Sequence, residues 1–317
     1  MKVVCLDRST IDSNIDFKGI EGLVENITYH EFTPAEKVVF RCKYAEVIIT
    51  NKVVLDKVQL EQLPKLKLIC IAATGTNNID IEAATALGIK VCNVKSYSTP
   101  SVAQYVFSML LEHMQKSAHY IENTRQKHWQ NSPIFCHFNL PINELNNKVI
   151  AIIGYGEIAK SVEKIAHAFG MKVLIAERQG ATSIRPERVS FEQALQLADV
   201  LTLHSPLTAD TENLINSHTL ALMKPNAILI NTARGGLVKS ADLLNALKMK
   251  RLGAAILDVL EQEPPPSDHI LLNCSLDNLY ITAHIAWGSL EAQQRLVDGI
   301  ANNIASFMEG EGLNQLN

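Results

Sequence analysis

The run Val149-Ile150-Ala151-Ile152-Ile153-Gly154-Tyr155-Gly156-Glu157-Ile158-Ala159 constrains this chain more than any other stretch. A short apolar segment ends at Gly154, a second glycine stands at Gly156, and Ala159 occupies a place that calls for a small side chain. In a strand–turn–helix of this kind the first glycine permits a tight turn and the second lets the backbone approach a pyrophosphate. The third position allows close helix–strand packing. Ile158, Ala159, Val162, Ile165, Ala166 and Phe169 then recur at helical spacing, and Gly170 suits the C′ position that ends a helix. The N-terminus of such a helix, with free N–H groups and a positive dipole end, is an anion site.

A second strand, Lys172 to Ala176, delivers Glu177 near the ~20-residue offset at which an acid meets ribose hydroxyls. The glycines alone are a weak signal. With the strand, the helix and the acid around them they predict a dinucleotide site, against the plainer reading of a βαβ turn with a solvated Glu177. A carboxylate at Glu177 repels a ribose 2′-phosphate, which favours NAD. Arg178 beside it leaves NADP open, because an arginine there either attracts that phosphate or only stacks over adenine.

The rest of the chain repeats the same alternation. Apolar runs at Val3 to Leu6, Val47 to Ile49, Leu68 to Ala73 and Val91 to Val94 read as strands, with helical stretches at Leu55 to Leu63 and Ile81 to Leu87 between them. At Thr99-Pro100 the character changes: Thr99 suits an N-cap, Pro100 the first helical position, and apolar residues from Val102 to Met114 follow at helical spacing. From Gln130 to Asn147 the chain is polar, with Pro133 and Pro141, and predicts an irregular surface arm that packs on a second subunit. Strand-like runs resume at Val149 to Ile153, Val173 to Ala176, Val200 to Leu203, Ala227 to Ile230, Ala254 to Leu257 and Leu279 to Thr282. Six is the strand count of a full dinucleotide-binding sheet. An amphipathic helix from Leu290 to Met308 closes the pattern and is expected to return to the first domain. The fold class predicted is α/β with two domains.

Composition narrows the partners. Against 33 acidic residues stand 29 basic ones, a net charge of -4 over 317 residues, so no electrostatic footprint points to nucleic acid or an anionic membrane. A small molecule is the expected partner. The N-terminal run reaches Asp7 too early for a secretory signal, and no apolar run approaches a bilayer span, so a cytoplasmic protein is expected. Cys5, Cys42, Cys70, Cys92, Cys136 and Cys274 form no C-x-x-C pair and read as reduced, mostly buried small hydrophobes. Ten histidines offer no ligand spacing, and no metal is expected.

Reduction of a 2-keto acid by hydride requires a cation for the carboxylate, a proton donor for the developing alkoxide and a group that keeps the donor protonated. Arg234 follows the run Ala227 to Asn231, Glu263 follows Leu257-Asp258-Val259, and His284 follows Leu279 to Thr282. All three therefore fall at carboxyl ends of strands, where open α/β sheets bind ligands. An arginine fork matches a carboxylate, and a carboxylate near an imidazole favours its charged form. Each residue alone has a plainer explanation, as a loop cation, a solvated acid and a structural histidine.

Taken together, these blocks resemble the D-isomer-specific 2-hydroxyacid dehydrogenase family. The resemblance covers nearly the whole chain and rests on Gly154-Tyr155-Gly156-Glu157-Ile158-Ala159, Asn231-Thr232-Ala233-Arg234-Gly235-Gly236, Leu257-Asp258-Val259 with Glu263-Pro264, and His284-Ile285-Ala286-Trp287. Most relatives carry glycine where Ala159 stands; an added methyl is an accepted variant. Ala176-Glu177-Arg178 and the His284 block look like the glycerate dehydrogenase and hydroxypyruvate reductase group, which narrows the substrate only by analogy.

The resemblance implies that Arg234 binds and polarises the keto acid, that His284 donates the proton, and that Glu263 hydrogen-bonds His284. It implies a Rossmann-type dinucleotide-binding domain over 99–287 and a flavodoxin-like substrate domain from 1–98 and 288–317, with the cleft between them. Thr74, Gly75 and Thr76 would offer backbone N–H groups to the substrate, although a simple glycine turn reads equally well there. Asp258 would take the nicotinamide carboxamide, Glu157 and Ile158 the phosphates, and Thr232 and Ala233 the nicotinamide side. His204 and Pro206, in His204-Ser205-Pro206-Leu207-Thr208, would lie along the cofactor, as would Tyr155 and Ala286. A homodimer is implied.

Three alternatives stay open: a phosphoglycerate dehydrogenase, a D-lactate-type enzyme, and a corepressor-like protein that senses NAD. The expected reaction is NAD(P)H-dependent reduction of hydroxypyruvate or glyoxylate to the D-2-hydroxy acid, and its reverse.

Overall fold

A computed structural model describes residues 1–317 and divides them into two compact units, Met1–Ser98 with Trp287–Asn317, and Thr99–Ala286. Eleven strands make two sheets, and every pairing between strands is parallel. No helix is long and apolar enough to cross a membrane. All six cysteines are free, and four of them are buried.

The first unit holds β1 (Lys2–Cys5), β2 (Asn26–Tyr29), β3 (Val47–Thr50), β4 (Leu68–Ile71) and β5 (Lys90–Cys92) in the order β2-β1-β3-β4-β5. Alternate residues serve opposite faces, as a period of two requires. Val3, Cys5, Val47, Ile49, Leu68 and Cys70 pack on one side, and Val4, Ile48, Ile69 and Ile71 on the other. The helix Leu290–Met308 covers the first of these faces through Leu296, Val297, Ile300 and Ile304. Each of those four is at most 1% exposed, and burying such a side chain contributes about 1.5–3 kcal/mol. Ser289 starts this helix by accepting the N–H of Ala292. The edge strand β2 has no clear apolar run, since its burial alternates between exposed and half-buried, and the sequence pattern gives no sign of it.

The second unit holds β6 (Val149–Ile153), β7 (Lys172–Ile175), β8 (Val200–Leu203), β9 (Ile228–Asn231), β10 (Ala254–Leu257) and β11 (Leu279–Ile281), ordered β11-β10-β9-β8-β6-β7. These are the six strands expected from the apolar runs. A single parallel bridge between Ala176 and Val189 lies beyond β7 and stands where a further strand would run. The order reverses between β6 and β8, the switch point at which such sheets bind ligands.

The helix Thr99–Gln115 lays Ala103, Val106, Phe107 and Leu110 on the core beneath β6. It starts at Thr99 itself, whose hydroxyl is buried without a partner and so does not cap it. Lys116, at φ 55°, separates it from a second helix, Ser117–Arg125, that the sequence pattern does not reveal. From 126 to 147 the chain has no regular structure, as its prolines and polar residues predict.

Candidate active site

Strand register explains why residues far apart in sequence share one edge of the second sheet. Ile153 pairs with Leu203, Leu203 with Asn231, Asn231 with Leu257, and Leu257 with Ile281. The residues that follow these strand ends, Gly154, His204, Thr232, Asp258 and Thr282, therefore emerge side by side at the carboxyl edge.

Gly154 is at φ +82°, and a Cβ there would stand 2.5 Å from the Ser205 nitrogen, so only glycine lets the turn lie against the end of β8. A Cβ on Gly156 would meet nothing within 4 Å, which leaves open space beside it. Gly156 precedes the helix Glu157–Ala168 and no side chain caps it, so the first N–H groups of the helix are uncovered. The Ser205 and Thr232 hydroxyls, on the same edge, are buried without hydrogen-bond partners. Uncovered donors, open space and two unpartnered hydroxyls fit a dinucleotide. Tyr155 turns its hydroxyl onto Glu163 of the helix at 2.5 Å, Glu157 pairs with Lys160 at 2.7 Å, and Ile158 packs against the core.

Glu177 lies two residues beyond the next strand, β7, with a side chain only 5% exposed. Arg185 Nε donates to it at 2.7 Å, and the Arg178 backbone N–H donates at 3.0 Å. The Arg185 pair foremost, with the backbone N–H of Arg178, holds the carboxyl down at about 2. The Arg178 side chain itself is exposed. Sequence reading missed Arg185, since nothing marks it among the polar residues after Gly180.

Asn231 shapes the loop that carries Arg234. Its buried amide accepts from the Ala233 N–H at 3.0 Å and donates to the Arg234 carbonyl at 2.9 Å. Gly235 follows because a Cβ there would fall 1.8 Å from the Leu260 carbonyl carbon. The Arg234 guanidinium is half-buried and donates to the Ala233 carbonyl at 2.6 Å. Its remaining N–H groups suit a carboxylate fork.

His284 and Glu263 meet: Nδ1 of the imidazole lies 2.6 Å from Glu263 Oε2, while Glu263 Oε1 accepts the Leu260 N–H at 3.0 Å. His284 sits at φ 55°, a left-handed conformation that costs a non-glycine residue about 1–3 kcal/mol. The turn is held by Asp258, which is 1% exposed. The His284 N–H donates to the Asp258 carbonyl at 2.8 Å, and the Ile285 and Ala286 N–H groups donate to its carboxylate at 2.9 and 2.8 Å. Thr282 Oγ1 donates to the same carboxylate at 2.6 Å and meets the Tyr105 hydroxyl at 2.5 Å. Asp258 is thus bonded chiefly to the loop that presents His284. Thr282 and Tyr105 were not singled out in the sequence, although Thr282 could have been, as the residue between β11 and the histidine.

His204 Nε2 lies 2.9 Å from Thr202 Oγ1, and burial lowers its pKa to about 4, so it is neutral near pH 7 and unsuited to donate a proton. Pro206 is exposed in the loop beyond it. In the first unit, Thr74 donates to the Val94 carbonyl at 2.9 Å, and the buried Asn93 amide donates to the Thr74 carbonyl at 2.7 Å. These bonds fix the start of the Thr74-Gly75-Thr76 loop after β4.

A family model described as the NAD binding domain of D-isomer specific 2-hydroxyacid dehydrogenase matches residues 107–286. The chain is 41% identical over 315 residues to a glycerate dehydrogenase of Methylorubrum extorquens, covering 99% of this chain and 98% of that one. It is 35% identical over 323 residues to a hydroxypyruvate reductase of Blautia hydrogenotrophica, covering 100% of each. A solved protein structure from Thermus thermophilus is similar with a TM-score of 0.85 at 29% identity, covering 100% of both chains.

Proposed function

The chain belongs to the D-isomer specific 2-hydroxyacid dehydrogenase family, and on that premise we propose that it reduces a small 2-keto acid, hydroxypyruvate or glyoxylate, to the D-2-hydroxy acid and catalyses the reverse. The observation that carries this reading is the His284–Glu263 pair at 2.6 Å, on a turn that Asp258 holds in place. When bound, the nicotinamide cofactor supplies or accepts the hydride. Arg234 presents a fork to the substrate carboxylate and polarises the adjacent keto group. His284 Nε2 gives its proton to the developing alkoxide, and Glu263 fixes the ring orientation through Nδ1. In the reverse direction the neutral imidazole takes the hydroxyl proton.

The unit that begins at Thr99 is assigned the cofactor and the other unit the substrate-domain role, with the N–H groups of Thr74, Gly75 and Thr76 as carboxylate donors. Along the cofactor we assign Gly154, Tyr155, Gly156, Glu157 and Ile158 to the phosphates, Glu177 and Arg178 to the ribose end, and His204, Pro206, Thr232, Ala233, Asp258 and Ala286 to the remainder. A homodimer is part of the proposal: Ile134, Phe135 and Phe138 on the arm are 61%, 90% and 70% exposed, an apolar surface suited to a second copy. Light scattering on the protein and on Phe135→Glu tests it. A cytoplasmic, reducing setting is proposed on the six free thiols.

The experiment for the reaction is initial-rate NADH consumption with hydroxypyruvate and glyoxylate, for the protein and for His284→Ala. The variant is expected to lose at least ~10²-fold in rate. Undiminished turnover would remove His284 from its role.

A further inference from the structure

Glu261 stands two positions before Glu263, and its carboxylate gathers two buried side chains that the proposed reaction does not use. Its Oε2 accepts the Ser240 hydroxyl at 2.7 Å and lies 3.3 Å from His269 Nε2. The Leu271 N–H donates to His269 Nδ1 at 3.3 Å, so that nitrogen carries no proton and Nε2 is the donor to Glu261. Ser240 is the first residue of the helix Ser240–Lys248, which follows the Arg234 loop. His269 belongs to the loop beyond the three prolines, where its N–H donates to the Pro266 carbonyl and its carbonyl accepts the Leu272 N–H, each at 3.0 Å. One carboxylate therefore ties three segments together.

The tie falls where the catalytic loop turns. The Leu260 N–H donates to Glu263 Oε1, and the other oxygen of Glu263 meets His284 Nδ1. The Gly235 backbone, next to Arg234, lies so close to the Leu260 carbonyl and the Glu261 nitrogen that a Cβ has no room. The Leu260–Glu261 peptide is thus the point at which the Arg234 loop meets the loop of Glu263. Ser240 grips the same peptide's side chain from the far end of the Arg234 loop.

We propose that Glu261 is a positioning residue: bonded to Ser240 and His269, it fixes the Leu260–Glu261 peptide against Gly235 and so sets the Glu263–His284 pair relative to Arg234. This rests on the dehydrogenase reading above. Glu261 acts through Glu263, which draws its Leu260 bond from the fixed peptide. Proton transfer depends steeply on distance and direction, so the tie serves kcat and leaves cofactor binding alone.

Three measurements on the full-length protein test it: initial rates with hydroxypyruvate, NADH binding by calorimetry, and proton NMR of the His284 Nδ1–H. The last needs no turnover. A proton in a 2.6 Å bond to a carboxylate resonates far downfield, and its loss in His284→Ala assigns it. Glu261→Ala is expected to lower kcat about 10-fold, to leave NADH binding unchanged and to shift or broaden that resonance. Glu261→Gln keeps an oxygen that accepts from Ser240 and His269, and is expected to restore most of the rate and the resonance. Ser240→Ala removes one donor only and is expected to fall between; it keeps the test open if Glu261→Ala folds poorly. Wild-type kcat or an unmoved resonance in Glu261→Ala, equal losses in the Ala and Gln variants, NADH binding lost in step with kcat, or no such resonance in the wild type would each overturn the proposal. Absence of turnover with any keto acid would count against the dehydrogenase reading instead, and the resonance would still decide whether Glu261 positions the pair.

Discussion

At the switch point of the first sheet, between β1 and β3, the chain places Asp7; at the switch point of the second, between β6 and β8, it places Gly154. The Asp7 carboxylate is buried and accepts the N–H groups of Asn51, Lys52 and Val53 at 2.6 to 3.2 Å. It closes the crevice with the protein's own backbone. Gly154 brings no side chain, and the helix after it begins with its N–H groups uncovered. Both sheets share the winding that brings strand ends to a crevice, so topology alone does not make a ligand site. What separates the two is whether the donors at the strand ends are already bonded.

The largest expected effect breaks the open crevice. Gly154→Val places a branched side chain into a left-handed turn against Ser205, and nucleotide binding followed by calorimetry should weaken by about 10²-fold or more. Retained binding would show that the close approach to β8 is not required. Next, Asp7→Ala attacks the closed crevice: three N–H groups, two of them buried, lose a charged acceptor, and chemical denaturation should show a loss of about 3 kcal/mol. The KM for keto acid of the remaining folded protein should hold, and a change in KM without loss of stability would reverse the assignment.

A smaller effect tests the histidine turn. Thr282→Val removes the bond to Asp258 while keeping the shape, and kcat should fall about 10-fold with KM little changed. Thr282→Ser should restore it, and equal rates in all three would make the Tyr105–Thr282–Asp258 chain incidental. The smallest effect lies on the helix beneath the sheet. Burial lowers the pKa of His113 from 6.5 to about 4, so the unfolded chain takes up that proton first. Stability present above pH 6.5 is therefore lost as the pH falls toward about 4. Melting temperatures of the wild type should drop by several degrees more than those of His113→Gln across that window; parallel curves would contradict it.

The elements that carry their own period were legible in the sequence. The strands β6, β8, β9 and β10 and the helix Leu290–Met308 are continuous apolar runs or clean helical stripes, because both faces or one broad stripe are buried. β2 was not, since an edge strand with half-exposed residues has no such run. Nor was the helix Ser117–Arg125, where only Asn123 is buried. Among the proposed site residues, Gly154, Arg234, Glu263 and His284 follow strands in distinctive blocks, and the structure brings His284 and Glu263 into contact. Arg185, Arg188 and Tyr105 carry no such mark. Their roles come from tertiary approach to Glu177 and Thr282, and residue spacing alone carries no trace of such contacts.

Central to all of this is the reduction of a small 2-keto acid at the open crevice of the second sheet, with Arg234, Glu263 and His284 beyond it. The most direct measurement is NADH consumption by the purified protein with hydroxypyruvate, glyoxylate and pyruvate, together with the configuration of the product where it has one. Turnover with at least one of these acids and a D-configured product is the predicted result. No NADH consumption with any of them, or an L-configured product, would contradict it.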